Sequence, residues 1–220
     1  MSNTVKSASE KAYQDNFVRE LEKYKWKAPE ELNGNTHAVT VDDLITFWRK
    51  ELNRINADQL EGVELTDHEF QQVMAKVNQI DNSYEAAKIL SAENSVGKID
   101  GIYRDDNPKV TRKQITLTIF RKAEVRGGDS SYRIAREVKT SKNNRFDIVL
   151  LINGLPLINI EQKRVDKDLN EAYFQFKRYY RDGEYCNNFM AFSQMMIVTT
   201  EIETRYFATP KSIEEFNPAF

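Results

Sequence analysis

The chain has 220 residues, 30% of them charged and 40% hydrophobic, and its 32 Lys and Arg against 34 Asp and Glu leave a net charge of −2. That balance excludes a protein held to a polyanion by bulk charge and a highly charged disordered tail, and a mean hydropathy of −0.66 without a long apolar run excludes a membrane span. One cysteine, Cys186, permits no internal disulfide or thiolate cluster, and two histidines, His37 and His68, leave little for an imidazole site, so the chemistry falls to carboxylates and lysine.

The N-terminus, MSNTVKSASEK, lacks the apolar stretch of a secretory signal, so a cytoplasmic protein is expected. Ala12, Tyr13, Phe17, Leu21 and Tyr24 recur at helical spacing and predict a first helix over about 9–24. Pro29 and Asn33-Gly34 break it. A second helix follows Thr40, with Leu44, Ile45, Trp48, Leu52 and Ile55 on one stripe. A third starts at the capping box Thr66-Asp67-His68-Glu69, carries Phe70, Val73, Met74, Val77 and Ile80, and is read as continuing towards Leu90. Residues 94–111, with two Gly, one Pro and several Asp and Asn, read as a long connection.

The period then changes to that of strands: 115–120, 132–138, 147–152 and 157–161. Gly127-Gly128-Asp129 is read as the turn of the first pair, and Asn153-Gly154-Leu155-Pro156 as that of the second. A helix over about 168–181, a strand over 195–200 and a short one over 206–209 complete the chain. The pattern predicts an α/β fold: a helical portion over 1–93, then a sheet-containing core over 94–220, together one domain.

Charge is segregated along this order. Residues 1–103 carry 12 basic and 18 acidic side chains, 104–145 carry 12 and 5, and 146–220 carry 8 and 11. Arg121, Lys122, Arg126, Arg133, Arg136, Lys139, Lys142 and Arg145 in the middle block are candidates for contact with an anionic polymer, or else a solvated strand face.

That block runs into Phe146-Asp147, followed by Glu161-Gln162-Lys163 and Gln175-Phe-Lys-Arg-Tyr179. On a strand, Glu161 and Lys163 share one face while Ile158 and Ile160 take the other. Folding the hairpin brings Asp147 to the same end, so two carboxylates and an ammonium converge where it opens. Hard oxygen donors of that kind suit Mg²⁺, which shares its shell with water and phosphate. A register condition follows. A strict two-residue turn at Gly154-Leu155 pairs Asp147 with Gln162, on the wrong face, so the site requires an odd loop or a bulge. The helix after it carries a capping box at Asp168-Leu-Asn-Glu171 and a buried stripe of Leu169, Ala172, Tyr173, Phe176 and Tyr180, with Gln175 and Tyr179 on one edge, turned to the site. Cys186 reads as a structural thiol, and the aromatic residues as packing.

Asp…Glu-x-Lys followed by Gln-x-x-x-Tyr resembles the PD-(D/E)xK nuclease superfamily in its RecB-like branch. RFDIVLLINGLPLINIEQKR with EAYFQFKRY is similar to the endonuclease region of the R subunit of type I restriction enzymes, over about 145–205, with a weaker likeness over 9–26. The resemblance implies a restriction-endonuclease-like core, a mixed β-sheet flanked by helices, cutting double-stranded DNA with Mg²⁺ and without sequence specificity of its own. It implies Asp147 and Glu161 as metal ligands with the Gln162 carbonyl, Lys163 serving the attacking water, and Gln175 and Tyr179 contacting DNA or supporting the lysine. Phe146 stands at the motif's proline, and Gln14 where the family often has a glutamate, with Glu10 one turn earlier as the possible additional acid. The family's R subunits carry motor domains and work with methyltransferase and specificity subunits. Gly97-Lys98-Ile99 is no phosphate loop, so ATP is expected only through motor domains outside these 220 residues, and the chain is read as a piece of a larger subunit that cleaves weakly alone. The competing readings are a non-catalytic nucleic-acid-binding or assembly module with the same fold, and a different PD-(D/E)xK nuclease acting in repair.

Overall fold

A computed structural model of the chain describes residues 8–34, 37–92, 96–121 and 128–216. In chain order these form α1 (Ala8–Glu22), α2 (Val41–Ile55), α3 (Asp67–Val77), α4 (Ser83–Leu90), β1 (Val96–Tyr103), β2 (Gln114–Arg121), β3 (Tyr132–Lys139), β4 (Arg145–Ile152), β5 (Leu155–Gln162), α5 (Leu169–Arg181), β6 (Met195–Thr199) and β7 (Thr204–Ala208). The architecture is mixed α/β: a five-stranded sheet, order β3-β4-β5-β6-β7, and a separate pair β1-β2. Within the large sheet only β5 and β6 run parallel, and α5 is the crossover between them. This layout is consistent with a restriction-endonuclease-like core.

Local chemistry sets the helix starts. Thr40 with Asp43, and Thr66 with Glu69, each satisfy two end donors reciprocally, fixing α2 and α3. α3 ends at Val77 rather than running on to Leu90, because the Asn82 side chain accepts from the amides of Tyr84 and Glu85 and opens a new helix. At α5 the cap differs from the expected capping box: the Asp168 carboxylate accepts from the main-chain amide of Asn170 rather than of Glu171. On α1 the predicted stripe holds at Phe17 and Leu21, which pack beside Val18 against the sheet. Gln14 and Val18 are buried, whereas Tyr24 lies beyond the helix and is exposed.

Two expectations about the middle of the chain are overturned. Residues 96–103 are strand β1, not connection, with Ile99 and Ile102 buried. The glycine that reads as a breaker, Gly101, sits at φ +68 where the register shifts between Ile99 and Ile102, so it serves a bulge inside the strand. β2 then pairs with β1 and not with β3, so the Gly128-Asp129 segment passes between two sheets instead of closing a hairpin. Gly127 lies outside the described residues. α2, α3 and α4 pack on this pair, where the buried Arg104–Glu69 bridge at 2.9 Å joins β1's end to the α3 cap.

The large sheet is covered on both faces. Val18 of α1 packs with Ile134, Ile148, Leu150 and Ile160 on one face. The main core, including Trp48, Val149, Phe176 and Tyr179, fills the other. That double burial explains the nearly unbroken apolar run of β4.

Candidate active site

The β4–β5 hairpin decides whether two carboxylates meet. Its turn is Asn153-Gly154, both at positive φ (53° and 79°), one residue earlier than predicted from the sequence. Such a two-residue turn matches the twist of its strands, and Asn-Gly is the dipeptide that tolerates it. Ile152 pairs with Leu155 and Leu151 with Pro156, but Leu150 pairs with Ile158, so Leu157 is an extra residue on β5. Pro156 has no N–H for a regular ladder, which favours the irregularity there. The bulge is the offset the register condition demanded. Ile148 then pairs with Ile160, and the next step sets Asp147 beside Glu161.

The two acids are buried, Asp147 at 4% and Glu161 at 0% exposure. Asp147 Oδ2 accepts from the Gln162 amide at 2.8 Å, and the Asp147 amide donates to Glu161 Oε1 at 3.4 Å. From Glu161 the contacts continue outward. Gln175 Nε2 donates to Glu161 Oε2 at 2.6 Å, and Lys163 Nζ donates to Gln175 Oε1 at 2.7 Å. Gln175 Nε2 also reaches the Tyr179 hydroxyl at 2.5 Å, which donates to the Arg145 carbonyl at 2.6 Å. Burial, reinforced by the charge of Glu161, holds the Tyr179 phenol far above its usual pKa despite the opposing Gln175 bond, so it is a neutral donor. Asp147, Glu161, Lys163, Gln175 and Tyr179 thus form one connected cluster.

The opposite face contributes a layer of which sequence reading named Gln14 but not Glu137. Gln14 Nε2 donates to the Asp147 carbonyl at 3.1 Å and to Glu137 Oε1 at 3.0 Å, and Glu137 pairs with Arg145 at 2.9 Å. Nothing in the sequence separates Glu137 from any other strand glutamate; its signal is a backbone at φ +55. Gln162 turns its side chain away from the site, as expected, and lies buried beside Tyr13, whose hydroxyl donates to the Thr200 carbonyl at 2.5 Å. The Glu10 side chain lies outside what is described.

The described members of the basic block are spread over two sheets, and some are engaged by neighbouring acids. Arg121 ends β2 in the separate two-stranded sheet, Arg136 is engaged by Asp15 at 2.5 Å and Asn33 at 2.9 Å, and Arg145 by Glu137. Lys122 and Arg126 lie outside the described residues. Phe174, expected to pack, is 55% exposed, whereas Tyr173, Phe176, Tyr179 and Tyr180 are buried. Among the described residues no group of three or more His, Cys, Asp or Glu is disposed to hold a metal, so Asp147 and Glu161 are the two carboxylates that could serve a cation here. No helix among the described residues is long and apolar enough to cross a membrane.

Comparison with known proteins bears on the whole chain. Residues 7–215 match the family model for the type I restriction enzyme R protein N terminus. The chain is 34% identical over 179 residues to a type I restriction enzyme endonuclease subunit of Staphylococcus aureus strain MSSA476, covering 79% of this chain and 18% of that protein. It is 32% identical over 202 residues to the corresponding subunit of Staphylococcus saprophyticus, covering 89% and 20%. A third relative, the EcoprrI endonuclease subunit of Escherichia coli, is 28% identical over 113 residues, covering 51% and 31%. The chain therefore spans about a fifth of the length of the staphylococcal relatives.

Proposed function

The chain belongs to the type I restriction enzyme R protein N-terminal family, and we propose that it is the part of such a subunit that cuts double-stranded DNA, without reading sequence itself. The observation that carries this reading is the connected cluster: two buried carboxylates on adjacent strands, with an ammonium linked to one of them through a single amide.

The donor set fits a hard divalent cation. Asp147 and Glu161, with the Gln162 carbonyl, would hold Mg²⁺ and leave room for water and a phosphate oxygen. When bound, that ion supplies Lewis-acid polarisation of the phosphoryl group and acidifies a water ligand. The protein's own part is geometric and electrostatic. Lys163, steadied by Gln175, orients the attacking water and offsets negative charge growing on phosphorus. Gln175 keeps Lys163 and Glu161 at a fixed separation, and Tyr179 locks Gln175 to the start of β4. Partners in the complete enzyme are double-stranded DNA and the methyltransferase and specificity subunits, and ATP enters through motor domains elsewhere in the subunit. The 220-residue chain alone is expected to cleave weakly.

The test is Asp147→Asn and Glu161→Gln in the full-length assembled enzyme, with linear and circular duplex DNA as substrates. Each is expected to lower cleavage by at least 100-fold, on the order of metal-ligand losses. Wild-type cleavage by either variant would contradict the reading and favour a non-catalytic module.

A further inference from the structure

Besides the bulge at Leu157, strand alternation fails beside the site on two neighbouring strands at once. On β3, Ala135 and Val138 both face the main core, while Ile134 joins the α1 side and Arg136 turns to Asp15 of α1. On β4, Phe146 and Val149 face the main core while Ile148 faces α1. A pleated strand repeats every two residues, so a spacing of three means one additional residue per strand. Those residues are Glu137 and Asp147, and the ladder between β3 and β4 skips this pair, running from Arg136–Ile148 to Val138–Phe146.

Glu137 occupies this position at φ +55, a left-handed conformation that is costly for a side chain with a Cβ. Among the described residues, the other non-glycine ones in that region are three asparagines and Glu61, in turns and loops. Such strain persists only where surrounding contacts over-determine it. Here they do. One oxygen of Glu137 accepts from Gln14, which is 3% exposed and holds the Asp147 carbonyl with the same nitrogen. The other pairs with Arg145, whose carbonyl receives the Tyr179 hydroxyl. Glu137 therefore connects helix α1, on one side of the sheet, to the Tyr179–Gln175 arm on the other, and both links act on the stretch 145–147.

We infer that Glu137 is a positioning residue for Asp147, its strained backbone and two carboxylate contacts fixing where β4 presents that acid. The inference rests on the metal-dependent reading above. It needs no contact between Glu137 and substrate: displacement of a ligand by a fraction of an ångström is enough to weaken a site.

The experiment measures Mn²⁺ binding by titration calorimetry, duplex-DNA cleavage and melting temperature on the full-length subunit, nucleotide-free for the calorimetry and assembled for cleavage. The variants are Glu137→Gly, Glu137→Ala and Glu137→Gln, with Asp147→Ala as the reference lacking the site. Glu137→Gly and Glu137→Ala are expected to bind Mn²⁺ at least tenfold more weakly and to cleave at least tenfold more slowly. The glycine variant should melt above the alanine variant, because glycine accepts the left-handed backbone. Glu137→Gln, which keeps an oxygen for Gln14 but loses the charge facing Arg145, should weaken Mn²⁺ binding less than Glu137→Gly does. Wild-type binding and cleavage in Glu137→Gly, a lower melting temperature for Gly than for Ala, or a loss in Gln as large as in Gly would overturn the inference. Wild-type Mn²⁺ binding in Asp147→Ala would instead overturn the site itself.

Discussion

Gln175 takes the Lys163 ammonium on its carbonyl oxygen at 2.7 Å and gives its amide to the fully buried Glu161 at 2.6 Å. One neutral side chain thereby holds a cation and an anion apart while bonding to both. A direct Lys163–Glu161 pair would neutralise the two charges that the proposed mechanism assigns to a phosphate and a metal ion. The amide keeps both available, and it stands on α5, whose apolar stripe is anchored in the main core.

Removing that amide is the first consequence to measure. In Gln175→Ala the buried Glu161 loses a donor and Lys163 an acceptor, at a cost of about 3 kcal/mol by the usual worth of bonds to charged groups. For a chain of this size that corresponds to a fall of roughly 6–12 °C in melting temperature. Cleavage by the assembled enzyme should drop by about 10–100-fold, the usual effect of losing a residue that orients a ligand. Unchanged cleavage with a lowered melting temperature would reduce Gln175 to a packing role.

Stability should fall at alkaline pH in a way tied to buried phenols. Burial raises the pKa of Tyr13, Tyr173, Tyr179, Tyr180 and Tyr185 above the ordinary value of 10.0. Unfolded phenols lose their protons near pH 10 while the folded ones keep them, so the stabilisation is complete below pH 10 and is lost as pH climbs beyond it. The buried Tyr179 alone contributes a slope of about 1.4 kcal/mol per pH unit there. Tyr179→Phe should be less stable than wild type at pH 8 by about 1–3 kcal/mol, since the Arg145 carbonyl loses its donor. Above pH 10 the gap should narrow. Denaturant unfolding at pH 8, 10 and 11 checks both signs, and parallel curves would exclude a protonated buried phenol.

The hairpin turn offers a purely steric prediction. A Cβ on Gly154 would lie 2.8 Å from the Trp48 Cα and 3.1 Å from its ring, at a backbone φ of +79°. Gly154→Ala should cost about 2–5 kcal/mol, combining left-handed strain with overpacking against α2. Chemical denaturation measures it, and a change below about 1 kcal/mol would mean that the turn relaxes freely.

Legibility in the sequence followed the range of the forces involved. Capping residues and amphipathic stripes are local, so the starts of α2, α3 and α5 could be read to within a residue or two, while the break between α3 and α4 could not. Period-two patterns located β3 to β6, and the odd-offset requirement at Asp147 could be stated before the bulge at Leu157 was seen, because side-chain alternation is simple geometry. What failed was non-local. β1 was obscured by Gly101, a breaker by composition and a bulge residue in fact, and the partner of β2 is set by packing against α2 to α4 rather than by the segment that follows it. Within the site, Asp147, Glu161, Lys163, Gln175 and Tyr179 stood out by spacing. Gln14 was marked only by the family resemblance and Glu137 not at all, since a helix glutamine and a strand glutamate become informative only when a fold sets them side by side.

The central claim is that Lys163 acts in bond cleavage beside a metal held by Asp147 and Glu161. Lys163→Ala removes the ammonium and leaves both carboxylates. The most direct measurement is duplex-DNA cleavage by the full-length assembled enzyme carrying Lys163→Ala, with Mn²⁺ binding followed on the same preparation. The account predicts cleavage reduced by at least 100-fold with Mn²⁺ affinity retained or increased. Cleavage at the wild-type rate by Lys163→Ala would contradict it.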